Sequence, residues 1–328
     1  ALPIVHAPQV GDLGYDGSGI RIAIIDTGID VDHPDFSGRI AETADLVGEG
    51  PDDENGHGTH CAGVALGSGA ASAGRYRGIA PGALLYSAKV LHRSGQGMMS
   101  DVMAGIEWAV EQGVHIISLS LGGPGPSDGH DALCDICDAA VESGVVVVVA
   151  AGNDGPGSFT VGSPGAARRV LTVGASTDED AVAPFSSRGP TADNRVKPDL
   201  VAPGLRITAA RAGETELGSP VDPYYTECSG TSMATPLVAG ICALLMQKEP
   251  QLTADQVKAR LMATAIDLGE HPCVQGQGRI DALRAIHDEQ GEAPDTGDPN
   301  DGSPGDGTSP RPGCLTSVTS LFTRRHKG

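Results

Sequence analysis

Short apolar runs separated by polar, glycine-rich stretches set the rhythm of this chain. Ile20 to Ile25 is interrupted only by Arg21, and Val145 to Ala151 is five valines and two alanines. Ala83 to Val90, Val114 to Leu121 and Val170 to Ala175 repeat the pattern. Runs this short, without polar alternation, predict strands covered on both faces, as in a parallel sheet. Pro198 to Ala202 and Arg206 to Ala209 read as shorter strands of the same kind. Helical stretches fall between them: one opening near His57, then Ser100 to Glu111, Asp131 to Ser143, Ser232 to about Lys248, Thr253 to about Thr264, and one opening at Ile280. Strands that alternate with helices predict an α/β fold, a doubly wound, mostly parallel β-sheet flanked by helices. Residues 1–19 and the acidic stretch after Asp30 read as polar loops.

The rhythm stops near Asp288. Residues 289–313 are rich in Pro, Gly and Asp, with no large apolar side chain, and read as a disordered linker. In residues 314–328, Leu315, Val318, Leu321 and Phe322 recur at helical spacing ahead of Arg324, Arg325, His326 and Lys327. That segment is either an unstructured end or a short amphipathic peptide that docks on a protein partner. Residues 1–288 are then a single catalytic-size domain.

A formal charge of −20 argues against nucleic acid as a partner. No run approaches the roughly 20 apolar residues of a membrane span. The start, Ala1-Leu2-Pro3-Ile4, has no signal-peptide pattern and no initiator Met, as expected of a processed product. Seven cysteines leave at least one unpaired, and Cys134 and Cys137 form a lone CxxC, expected to be two inert thiols. The composition leaves a cytoplasmic and a secreted location both open.

The candidate chemistry centres on Gly230-Thr231-Ser232-Met233-Ala234-Thr235-Pro236, which runs straight into an apolar helix. Ser232 therefore sits near a helix N-terminus, where unpaired N–H groups favour developing negative charge. Pro236 has no N–H to offer the Ser232 carbonyl, which keeps the first turn open. A nucleophilic serine needs a base, an anchor for that base and donors for the oxyanion. His57 is the candidate base, Asp26 at the end of a predicted strand its anchor, and Asn153 with the Ser232 N–H the oxyanion donors. Each residue alone has a plainer reading: a cap, a surface histidine, a turn.

Together, Asp26-Thr27-Gly28, His57-Gly58-Thr59-His60, Ala151-Gly152-Asn153 and the Ser232 block resemble the signature blocks of the subtilisin-like serine proteases, or subtilases, in the same Asp, His, Ser order. The resemblance covers about residues 10–288. Ser186-Ser187-Arg188-Gly189-Pro190 and Lys197-Pro198-Asp199 are most similar to its bacterial intracellular-type branch. It implies a serine endopeptidase that acts on proteins or peptides through an acyl-enzyme and is matured by loss of a propeptide. The base should titrate near 6 to 7, the ordinary histidine range. By the same resemblance, Ser120, Leu121 and Gly122 form one edge of the substrate groove, and Gly95, Gly97 and Met99 the other. Ala150, Ala151, Gly152 and Gly162 outline an open primary pocket for large hydrophobic side chains, with Asp154 adding tolerance for a basic one. Met99 and Val102 make an outer pocket apolar. Cys61, one turn after His57, resembles the cysteine of thiol-containing subtilases. No cofactor is implied for the chemistry. The family's calcium loop after the His helix is in doubt, because Gly67 to Tyr76 has no Asp, Glu or Asn. Structural calcium would then fall to acidic loops such as residues 30–35 or 178–180.

Overall fold

The computed structural model describes residues 1–213 and 215–288. The expected 289–313 linker and 314–328 docking peptide lie outside the described residues. Seven parallel strands form the central sheet: β1 (Arg21–Asp26), β2 (Ile40–Asp45), β3 (Leu84–Lys89), β4 (Ile116–Leu119), β5 (Val146–Ala150), β6 (Leu171–Ser176) and β7 (Leu200–Pro203). Their spatial order is β2-β3-β1-β4-β5-β6-β7. From β1 the chain first moves to one side, and from β4 to the other. The C-terminal ends of β1 and β4 therefore border a topological switch point, where open α/β sheets place their ligands.

A second, antiparallel sheet, ordered β8-β10-β9, is made by β8 (Ile207–Ala210), β9 (Ser219–Pro220) and β10 (Tyr225–Cys228). The short run after Arg206 is thus a strand, but it belongs to this sheet and not to the parallel one. Four apolar residues do not encode their partner. Strand β2 corrects the polar-loop reading of the stretch after Asp30. It is an edge strand with Glu42 and Asp45 half or fully exposed, the polar dress that keeps an edge from pairing further.

The helices are α1 (Ala7–Asp12), α2 (His57–Leu66), α3 (Met99–Glu111), α4 (Ala132–Glu142), α5 (Thr231–Lys248), α6 (Ala254–Ala263), α7 (Pro272–Gln275) and α8 (Ala282–His287). Thr253 and Gln256 close a capping box on α6, so that helix starts where its sequence says it should. Helices α1 and α7 were not legible, being short and opened by proline. All but three of the 18 residues of α5 are buried, which makes it the central helix of the core. It packs on α2 and across β4 to β7. Both α2 and α5 aim their N-termini at the switch point. Among the described residues no helix is long and apolar enough to cross a membrane.

Candidate active site

Asp26 ends β1 with its side chain only 1% exposed. Its Oδ1 accepts the Thr27 N–H at 2.8 Å and His57 Nδ1 at 2.7 Å. A carboxylate can only accept here, so the imidazole proton sits on Nδ1 and Nε2 keeps its lone pair. The first turn of α2 is held against the end of β1 by Asp53, a residue outside the motif blocks. Asp53 Oδ1 accepts from the Thr27 hydroxyl at 2.8 Å and the Gly56 N–H at 2.7 Å, while Oδ2 accepts the Thr59 N–H at 2.8 Å and hydroxyl at 2.7 Å. Its position, with Asn55 and Gly56 just ahead of the helix, is a capping signal that could have revealed it. Gly58 completes the fit, because a Cβ there would collide with the Gly28 carbonyl.

Ser232 lies in the opening turn of α5. Pro236 leaves the Ser232 carbonyl without its helical donor, and two side chains fill the gap: the Ser120 hydroxyl at 2.9 Å and the Cys61 thiol at 3.4 Å. The Ser232 hydroxyl donates to the Ser120 carbonyl at 3.1 Å. Among the described residues no hydrogen bond joins it to His57, a looseness common before substrate is bound. Asn153 follows β5, and its Oδ1 accepts the Thr231 N–H at 2.9 Å and the Thr231 hydroxyl at 3.1 Å. Because an N–H can only donate, the amide oxygen must face Thr231, and the NH2 group is left as a donor on the cleft rim.

His57, Asn153 and Ser232 line one cleft of about 820 Å3, and all eleven residues expected to bind substrate line it too: Gly95, Gly97, Met99, Val102, Ser120, Leu121, Gly122, Ala150, Ala151, Gly152 and Gly162. Asp26 sits behind His57, out of the cleft. Gly162 packs so tightly on the Gly123 carbonyl that any side chain there would break the wall. Met98 and Met99 stand 66% and 49% exposed beside buried Val102, an apolar surface left open among the described residues.

Burial alone would lower the His57 pKa, but the Asp26 carboxylate, with Cys61 adding to it, raises it well above 6.5. This corrects the expectation of an ordinary histidine. The neighbouring His60 goes the other way, down to about 4, because it is buried and repelled by His57. Burial pushes the Cys61 thiol up, and its Sγ lies 3.9 Å from His57 Nδ1. A buried, protonated thiol that donates to a carbonyl is not a nucleophile. Cys134 and Cys137 are also buried and unbridged; burial pushes Cys134 up to about 11 and Cys137 well above the ordinary thiol value, so neither is a thiolate near neutrality.

The residues present do not fit calcium in the loop after α2. Asp35 Oδ1 is taken by the Tyr225 hydroxyl at 2.9 Å and the Ala71 N–H at 3.2 Å, donors where a cation would need free oxygens. Asp30 is likewise engaged by the Asp32 and Gly213 N–H groups, and Asp180 pairs with Arg279 at 2.6 Å. Among the described residues the only gathered trio of ligand side chains is Asp26, His57 and Cys61.

Residues 17–293 match the sequence profile of the subtilase family. The chain belongs to the subtilases. Serine protease AprX of Bacillus subtilis (strain 168) is 43% identical to this subtilase over 309 residues, 86% of this chain and 70% of that protein. Subtilisin DY of Bacillus licheniformis is 39% identical over 273 residues, 82% of this chain and 92% of its own. The crystal structure of a cold adapted subtilisin-like serine proteinase superposes with a TM-score of 0.65 at 34% identity, covering 81% of this chain and 88% of that one. This subtilase is therefore a serine endopeptidase with a subtilisin-like fold, and proteins are its substrates.

Proposed function

We propose that the enzyme cleaves peptide bonds through an acyl-enzyme, with Ser232 as nucleophile, His57 as general base and then acid, and Asp26 holding the His57 tautomer. The oxyanion is stabilised by the Asn153 NH2 group and the Ser232 N–H. The observation that carries this reading is the 2.7 Å Asp26–His57 hydrogen bond directly behind the cleft that Ser232 and Asn153 line. Substrate enters as an extended strand between the edges at Gly95–Met99 and Ser120–Gly122. Small residues at Ala150, Ala151, Gly152 and Gly162 leave room for a large hydrophobic side chain in the primary pocket. In the same reading residues 1–288 are the catalytic domain, 289–313 a linker and 314–328 a docking peptide for a protein partner. A propeptide is removed in maturation.

A fluorophosphonate probe tests the reading. It should label the parent, together with cleavage of denatured casein, and should not label Ser232→Ala; an unlabelled parent would refute the triad. Asn153→Ala should lower kcat by on the order of 10²–10³ with little change in KM, a magnitude borrowed from subtilisin itself. Peptide-anilide kinetics check it. The base must be neutral to act, so kcat/KM should rise with pH through a midpoint above 6.5. A midpoint at or below that value would contradict the ion pair.

A further inference from the structure

Sharing no lining residue with the cleft, a concavity of about 380 Å3 is walled by Leu2, Pro8 and Leu237 and edged by Arg75, Arg77 and Arg206. The chain has 42 acidic and 22 basic residues, so carboxylates that could pair with such a rim are in surplus. Among the described residues none of these three guanidinium groups meets a carboxylate or a hydrogen-bond acceptor. Arg206 also holds a backbone φ of 52°, a left-handed conformation that costs an arginine strain. Arg75 lies over the Tyr76 ring at 4.9 Å, which fixes its position on the rim.

The sequence holds a matching anion. Glu289, Glu292, Asp295, Asp298 and Asp301 recur at every third residue, and no Lys or Arg occurs between 289 and 310. Three residues make one turn of a polyproline-type helix, so in that conformation all five carboxylates share one face. Pro294, Pro299 and Pro304 favour it.

The reach also fits. Helix α8 packs on α1 and α5, and the Lys248 side chain at the end of α5 donates to the Ile286 carbonyl. Pro8 of α1 and Leu237 of α5 are walls of the concavity. From Lys248 back to Leu237 is about 16 Å at ~1.5 Å per residue. An extended chain leaving Asp288 covers that in about five residues at ~3.1 Å each, which brings Asp295, Asp298 and Asp301 within reach of the arginines. We propose that residues 289–301 of this chain run to this rim and dock Asp295, Asp298 and Asp301 on Arg75, Arg77 and Arg206, so that the segment is an ionic strap fixing where residues 314–328 leave the catalytic domain.

The test uses the full chain carrying Ser232→Ala, which prevents self-digestion, and an added glutamate-specific endoprotease. At low ionic strength, cleavage after Glu292 should run at least about fivefold slower than in a free peptide of residues 287–313, because the tethered strap binds at high effective concentration. The difference should vanish in 0.5 M salt, an order of magnitude at which the Debye length falls to roughly 4 Å. Replacing Arg75, Arg77 and Arg206 together by Gln should bring cleavage up to the free-peptide rate. Asp295→Asn, Asp298→Asn and Asp301→Asn, which leave the domain untouched, should do the same. Equal rates in parent and free peptide at low salt would overturn the proposal, as would protection that survives both sets of substitutions.

Discussion

Replacing Ser232 by alanine should lower kcat by about 10⁶, the scale known for subtilisin's own nucleophile, and leave the fold standing. The hydroxyl it removes makes one hydrogen bond, to the Ser120 carbonyl at 3.1 Å, worth about 1 kcal/mol. The structural partners of this residue attach to its backbone: the Ser120 hydroxyl and Cys61 thiol on its carbonyl, and the turn of α5 itself. Alanine keeps all of these. Calorimetry beside anilide kinetics separates the two effects. A stability loss well beyond about 2 kcal/mol would make Ser232 a structural residue, and the proposed nucleophile would have to be abandoned.

Asp26→Asn should cost on the order of 10⁴ in kcat, the scale known for subtilisin's own anchor. The Thr27 N–H at 2.8 Å and His57 Nδ1 at 2.7 Å share one side-chain oxygen, so an amide that keeps its oxygen on both donors keeps the tautomer. What it removes is the negative charge that stabilises the imidazolium formed when His57 takes the serine proton. The loss of the carboxylate also removes what raises the His57 pKa, so the kcat/KM midpoint should move to lower pH. The same pair sets a stability term. His57 has a raised folded pKa, so its charged form stabilises the fold fully below the unfolded value near 6.5, and that contribution is lost as pH rises through the folded value. Equal stability differences between parent and Asp26→Asn at pH 5 and pH 9 would speak against the pair.

The buried strands were legible because each is an unbroken apolar run, and the triad because its blocks lie at strand ends and helix starts. What escaped notice was written in weaker marks. Strand β2 is polar because it is an edge. Strand β8 is too short to declare which sheet it joins. Asp53 looks like any loop aspartate until Thr27, Gly56 and Thr59 are seen around it. The double capping of the Ser232 carbonyl is half visible: Pro236 says a donor is missing, and only folding says that Ser120 and Cys61 supply it. The elevated His57 pKa depends on burying an ion pair, which no local pattern reports.

The position of α5 has a bearing on when the enzyme becomes an enzyme. The Asp26–His57 pair is drawn from β1 and the start of α2, but the proposed nucleophile, Ser232, travels on the helix that fills the core between α2 and β4 to β7. During synthesis from the N-terminus, base and anchor emerge long before the serine they serve. A nascent chain without α5 lacks both its hydroxyl and the middle of its interior, so the serine is never presented on a half-built scaffold. Completion of the core and arrival of the Ser232 hydroxyl are one event.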